Sequence, residues 1–384
     1  MFNFTYYNPV KIVFGKGTIA EISGLIPKGT KIMVTYGGGS IMKNGVYDQV
    51  MKALKGFDVT TFGGIEPNPK YETLMKAVEK ARGEKTGFFL AVGGGSVLDG
   101  TKFIASAVHF AKGKEWDIVQ KNAPLKKAVP LGCIMTLPAT GSEMNNTAVI
   151  SRIETGEKLP MESPFLYPVF SILDPETTFS LPSKQIANGI VDTFIHVTEQ
   201  YMTYPAGGHL QDRQAEGILL TLVEEGPKAL KNPKDYDTRA TLMWCATQAL
   251  NFLISCGVPQ DWATHMIGHE ITALHGLDHA ETLAIILPGV WRYKKKQKAE
   301  KLVQYAERVW GITGSDNDAV IEKAIDKTEK FFNSLGIKTK LSGYGIPIES
   351  ADKIASIIDK RGNKFGEHAD IGGKEIREIL KICY

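Results

Sequence analysis

"GFFLAVGGGSVLDGTKFIASAVHFA", residues 87–111, runs from an unbroken apolar stretch through three glycines into a segment with apolar residues at helical spacing. Residues 87–92 read as a strand and the segment after the glycines as a helix. The same order occurs earlier. "KIMVTY" (31–36) reads as a strand, "GGGS" (37–40) follows, and "SIMKNGVYDQVMKALKG" (40–56) is amphipathic. "DVTTFGG" (58–64) is a further strand, followed by the turn "IEPNP" and a helix over residues 71–81; "PLGCIMTLP" (130–138) is another strand. Alternation of this kind predicts an α/β class protein: an open, Rossmann-like parallel sheet with crossover helices.

The pattern changes after "SILDPETTFSLP" (171–182). From Ser183, a plausible helix N-cap, helical periodicity extends almost to the end of the chain. The expected division is therefore an α/β domain over 1–181 and an all-helical domain over 182–384.

Bulk properties narrow the function classes. At 384 residues the chain suits two domains, and 43% hydrophobic with 23% charged residues is ordinary for a soluble globular protein. A net charge of +3 does not indicate a nucleic-acid partner. The basic run "RYKKKQKAEK" (292–301) is expected to be a solvated helical face. The four cysteines, Cys133, Cys245, Cys256 and Cys383, lack C-x-x-C pairing and are expected to be reduced thiols of a cytoplasmic protein. The N-terminus shows no signal-peptide pattern, and no apolar run reaches the roughly 18 residues of a membrane span.

The glycine runs at 37–39 and 93–95 follow strands and precede helices. Glycine allows positive φ and close approach of a ligand to the backbone, and a helix beginning there offers N–H groups and a favourable dipole to phosphate. Tight turns without a ligand are the alternative. Neither run is the usual G-x-G-x-x-G fingerprint, because Leu98 stands where the third glycine would be. The first run also lacks the acid that would grip an adenosine ribose 2′-hydroxyl; Lys43 is close behind, and the first acid is Asp48. If a dinucleotide binds, that favours NADP over NAD.

Half of the eight histidines lie in "DWATHMIGHEITALHGLDHAE" (261–281): His265, His269, His275 and His279. On a helix, His265 and His269 share a face, as do Asp192 and His196 in "NGIVDTFIHVTEQ" (188–200). Polar groups in such apolar surroundings suggest a divalent metal, although an intrahelical hydrogen bond would explain Asp192 with His196 alone. "HE" at 269–270 is not an H-E-x-x-H site, because the next histidine is six residues on, at His275. An oxygen-and-nitrogen donor set suits Fe(II), Zn(II) or Mn(II) alike.

Taken together, "GGGSVLDGTK", "MTLPATGSE" and "ATHMIGHEITALHGLDHAETLAIILP" resemble the iron-containing (group III) alcohol dehydrogenase family over essentially the whole chain. The histidine segment looks most like the bacterial NADPH-dependent aldehyde reductase or butanol dehydrogenase branch. The resemblance implies a cytoplasmic homodimer with its active site in the cleft between the domains. It implies an NADP(H) cofactor, one divalent ion, Fe(II) or Zn(II), and a small aldehyde or alcohol substrate. It assigns the metal to Asp192, His196, His265 and His279 and makes His269 the catalytic cleft residue. Gly94, Gly95 and Ser96 would hold the pyrophosphate, with Asp99 near it. Thr136, Leu137, Thr140 and Ser142 would line the adenine and phosphate side. Gly37, Gly38, Gly39, Ser40 and Lys43 would border the 2′-phosphate, and Lys158 the nicotinamide ribose.

The chain departs from the family pattern at Ala280, where many members have glycine, and at His275, where many have an aromatic residue. His275 is then either a packed core histidine or a wall of the substrate pocket. The rival classes are a dehydroquinate synthase-like or glycerol phosphate dehydrogenase-like enzyme and a non-catalytic metal-stabilised scaffold. Either rival enzyme would gather basic residues around the ligands, whereas 185–201 and 261–281 contain none and only Lys184 is near.

Overall fold

The computed structural model describes residues 1–384. Its strands are β1 (Lys11–Phe14), β2 (Lys31–Tyr36), β3 (Asp58–Phe62), β4 (Phe88–Gly94), β5 (Leu131–Leu137), β6 (Thr147–Arg152), β7 (Glu157–Glu162) and β8 (Phe170–Leu173). Six of them form one parallel sheet in the order β1-β8-β5-β4-β2-β3, and β6 and β7 pair antiparallel by themselves. Helices among them are α1 (Ile22–Leu25), α2 (Ser40–Lys43), α3 (Val46–Ala53), α4 (Tyr71–Glu84), α5 (Gly95–Ala107) and α6 (Asp117–Gln120).

A parallel sheet must be covered on both faces, and the strand sequences show how. Phe88, Leu90 and Val92 of β4 join Ile32 and Val34 of β2 in one core, with Ile22, Ile41 and Val50. The alternate residues Phe89, Ala91 and Met33 join the other, with Leu74, Val78, Phe103 and Ile104 of α4 and α5. Strands apolar at every position are the sequence consequence of this two-sided burial.

Beyond Pro182 the chain is helical: α7 (Ser183–Tyr201), α8 (His209–Lys231), α9 (Tyr236–Ala249), α10 (Ala263–His275), α11 (His279–Tyr293), α12 (Ala299–Trp310), α13 (Asn317–Ser334), α14 (Ser350–Arg361) and α15 (Gly373–Ile382). No helix is long and apolar enough to cross a membrane.

The strands expected from sequence are present. The amphipathic stretch after Gly39 is broken into α2 and α3 by Gly45, which takes a left-handed conformation at φ 80°. Strands β1, β6, β7 and β8 were not expected: they are short, or alternate too weakly to be told from loop.

The chain packs as two compact units whose limits differ from 1–181 and 182–384 at Met1–Tyr6, Pro182 and Pro233–Thr247. The α/β unit comprises Tyr7–Pro182 and also Pro233–Thr247; the helical unit comprises Met1–Tyr6, Ser183–Asn232 and Gln248–Tyr384. Residues of α9 are tied into the α/β unit: Arg239 Nε donates to Thr178 Oγ1 at 2.8 Å and Thr247 Oγ1 to Glu143 Oε1 at 2.6 Å. Helical periodicity reveals that α9 is a helix but not which core it joins.

The basic run is a second correction. Lys294, Lys298 and Lys301 are buried, paired with Asp370, with Asp261 and Glu367, and with Asp212 respectively. Arg292 holds Glu322, Asp326 and Glu329. Only part of the run is a solvated face, because acidic partners from four other segments fold over it.

Candidate functional site

Helix α7 carries Asp192 and His196 one turn apart, and α10 carries His265 and His269 in the same relation. His279 is the first residue of α11, whose start is fastened by the Asp278 N–H donating to Glu281 Oε2 at 3.2 Å. These three helices bring the predicted residues together. One ligand atom each from Asp192, His265 and His279 lie within 4.8 Å of one another. Asp192 Oδ1 is 3.5 Å from His196 Nδ1, 4.0 Å from His265 Nε2 and 3.8 Å from His279 Nε2.

Such distances are too long for hydrogen bonds and suit donors sharing an ion whose bonds are about 2.0–2.2 Å. Asp192 Oδ1 and His196 Nδ1 are buried and have no hydrogen-bond partner, a costly arrangement that a cation would relieve. Burial pushes the His196 ring down to about 4, which keeps it neutral and able to donate a lone pair. The residues fit a divalent metal.

Glu199 completes this centre and was missed in the sequence. It accepts the His265 Nδ1–H, fixing the tautomer that turns Nε2 towards Asp192, and it also accepts the backbone N–H of Thr264 at 2.7 Å and of His265 at 3.1 Å. Burial, then the neighbouring Asp261, pushes its carboxyl upward. Its position was readable: Asp192, His196 and Glu199 stand at i, i+4 and i+7 on one helix face.

His269 is buried, its ring centroid 5.2 Å from that of His279 and 6.4 Å from that of His265. His275 is not a buried core residue. It is half-buried, with Nε2 2.9 Å from Ser350 Oγ on α14. Glu270 is occupied by Arg361 at 2.6 Å, in keeping with the rejection of a zinc-protease motif. Lys184, the cation noted in the sequence, is bound to Asp278 at 2.9 Å and Glu281 at 3.0 Å, which raise its pKa against the effect of burial.

The glycine runs belong to the α/β unit. Strands β2 and β4 are neighbours, with β3 lying outward on one side and β5 on the other. The runs therefore end adjacent strands at the point where the strand order reverses, the usual ligand position in open parallel sheets. Gly37, Gly38 and Gly39 follow β2, Gly39 with φ +88°, and Ser40 to Lys43 form the short α2. Gly94 ends β4 and precedes α5 without a side-chain cap, so the first N–H groups of that helix face the loop.

A Cβ on Gly95 would lie 2.3 Å from Thr140 Oγ1, and one on Gly94 would lie 3.0 Å from Leu137 Cβ. Thr136, Leu137 and Thr140, at and after the end of β5, thus belong to the same loop cluster. Ser96 Oγ accepts from the Asn68 N–H at 3.4 Å.

Asp99 is held by protein on both oxygens, accepting from Ser142 Oγ at 2.7 Å and from the Val149 N–H at 2.9 Å. Lys158 lies buried in β7 and lowers the pKa of Asp99, which burial raises overall. Lys102, unremarked in the sequence, is fully buried; its Nζ lies 2.8–3.0 Å from five oxygens of Ser142, Asn145 and Thr147.

Comparison with known proteins agrees with this geometry. The family model "Iron-containing alcohol dehydrogenase" matches residues 9–175, and "Fe-containing alcohol dehydrogenase family, C-terminal" matches residues 186–384. The chain is 56% identical over 386 residues to the NADPH-dependent aldehyde reductase YqhD of Escherichia coli, covering 100% of both chains. It is 44% identical over 390 residues to NADP-dependent alcohol dehydrogenase 3 of Entamoeba histolytica, again covering 100% of both. Among solved structures, that of E. coli K-12 YqhD superposes with a TM-score of 0.98 at 54% identity, covering 100% of this chain and 99% of the other. Matches across both halves and at full length make this chain a member of the iron-containing alcohol dehydrogenase family.

Proposed function

We infer that this protein is a metal-dependent, NADP(H)-linked alcohol dehydrogenase acting as an aldehyde reductase. The observation that carries the reading is the convergence of Asp192, His196, His265 and His279 on one point, where Asp192 Oδ1 and His196 Nδ1 are buried without a hydrogen bond. The full-length likeness to an NADPH-dependent aldehyde reductase supports the reaction and the coenzyme.

Asp192, His196, His265 and His279 would hold one divalent ion, Fe(II) or Zn(II). When bound, the ion supplies a Lewis acid for the carbonyl oxygen and NADPH supplies the hydride. The chain's own residues do the rest. Glu199 keeps His265 in its ligating tautomer, and the neutral His196 adds a donor without adding charge. His269, beside His279, is the group proposed to pass a proton from solvent to the developing alkoxide. Gly94, Gly95 and Ser96 would present the N-terminus of α5 to the pyrophosphate, with Asp99, Thr136, Leu137, Thr140, Ser142 and Lys158 around the cofactor. Gly37, Gly38, Gly39, Ser40 and Lys43 would accept a 2′-phosphate, because no carboxylate stands there to repel it. Short- and medium-chain aldehydes are the proposed substrates. A cytoplasmic homodimer is the proposed working form, and its mass is checked by light scattering.

The deciding experiment follows butyraldehyde-dependent oxidation of NADPH and of NADH by chelator-stripped protein, before and after Fe(II) or Zn(II) is restored. Turnover that needs the metal and strongly prefers NADPH is expected. Equal use of NADH would overturn the coenzyme assignment alone, and no turnover with either coenzyme would overturn the reaction.

A further inference from the structure

Lys298 sits in the basic run that composition suggests is solvated, yet its side chain is 1% exposed. Its Nζ donates to the Met202 carbonyl oxygen at 2.6 Å, to Asp261 Oδ2 at 2.6 Å and to Glu367 Oε1 at 2.7 Å. An ammonium group has three donors, and each has an acceptor here. Two of those acceptors mark the ends of ligand-bearing helices. Met202 directly follows α7, which carries Asp192, His196 and Glu199; Asp261 directly precedes the turn into α10, which carries His265 and His269.

Asp261 is itself a junction. Its N–H donates to the Glu199 carbonyl oxygen at 2.9 Å, and its Oδ1 accepts the Ala263 N–H at 2.9 Å. The residue between them, Trp262, is held at φ 61°, a left-handed conformation unfavourable for a bulky side chain. Its ring lies 5.2 Å from that of His265 and 6.2 Å from that of His196. The two bonds on Asp261 thus flank this left-handed turn on either side.

We propose that Lys298 is a positioning residue for the metal: by joining the C-terminal end of α7 to the N-terminal end of α10 through Met202 and Asp261, it fixes the ligands of the two helices relative to each other. The proposal rests on the metal-centre reading given above. Removing the ammonium leaves Asp261 and Glu367 as buried acids without their shared cation, so the helix ends separate or take up water. Outer partners of metal ligands commonly hold about 10- to 100-fold of metal affinity.

The test titrates zinc into the metal-stripped full chain in competition with a chromogenic chelator. It compares the unaltered chain with Lys298→Met, Asp261→Asn, His265→Ala and, as a control, the exposed Lys296→Met. Melting temperatures of the metal-free proteins are measured alongside. Expected are zinc binding weaker by about 10- to 100-fold in Lys298→Met, a smaller loss in Asp261→Asn, none in Lys296→Met and near-complete loss in His265→Ala. Asp261→Asn keeps the shape and the acceptor for Ala263, and it decides the matter if Lys298→Met does not fold. Unchanged zinc affinity in the folded variants, with only a lower melting temperature, would overturn the positioning role while His265→Ala still loses zinc. If His265→Ala also binds zinc normally, the metal-centre reading itself fails.

Discussion

At the scale of single residues, what matters in this molecule is how little room some positions leave. Gly95 is pressed against Thr140, with the place of a Cβ only 2.3 Å from Oγ1 and 2.5 Å from Cγ2. Gly95→Ala must displace either the start of α5 or the loop after β5. The expected result is an NADPH KM raised at least about tenfold and about 1–3 kcal/mol of lost stability, the usual penalty of overpacking. Adding Thr140→Ala should restore much of the stability; steady-state kinetics and urea unfolding measure the two effects. Glu199 shows the opposite economy, since one carboxylate serves two backbone donors and the His265 ring. The ligand histidines were legible because they are rare and clustered. Glu199 was not singled out, because an acid in a helix ordinarily faces water and only its spacing from Asp192 and His196 hints otherwise.

At the scale of elements, the site depends on where helices begin. The start of α11 places His279, and Glu281 secures it by accepting the Asp278 N–H at 3.2 Å while pairing with Lys184 at 3.0 Å. Glu281→Ala removes a helix-start acceptor and a partner of Lys184. It is expected to cost about 1 kcal/mol of stability and to weaken zinc binding several-fold, read by thermal melting and by chelator competition. The glycine-interrupted strands of the sheet were readable because a parallel strand buried on both faces leaves an unbroken apolar run. The short edge strand β1 and the β6–β7 hairpin leave no such run, and the pairing partner of β1 lies far away in sequence.

At the scale of the whole molecule, buried charge couples stability to pH. Burial pushes the Lys102 ammonium down to about 8 from its ordinary 10.5, although Asp99 opposes the shift. Below about pH 8 both the folded and the unfolded chain keep this proton. Between there and 10.5 the unfolded chain binds it more strongly, so the Lys102 contribution to stability rises with pH. The stability of the unaltered protein relative to Lys102→Met should therefore improve from pH 8 to 10.5 by on the order of a few kcal/mol, and be flat below pH 8. Chemical denaturation of both proteins across that range checks it, the difference cancelling the titrating groups that do not interact with Lys102, whose own neighbours are Asp99, Cys133 and Glu143.

The sequence by itself determined the strands β2 to β5, the glycine runs that follow β2 and end β4, the change to helices at Ser183, and the residue types able to hold a metal. These are local properties: periodicity reports that an element has a buried face, and a rare side chain in an apolar stretch reports that something polar is needed there. The tertiary structure decided which core each face meets and which charges are neutralised. It placed Pro233–Thr247 in the α/β unit, set Glu199 against His265, and drew Lys298 out of solvent onto Asp261 and Glu367. Those outcomes depend on partners many residues away. Whether a lysine is solvated or buried is fixed by the acids that fold over it, which its own segment does not encode.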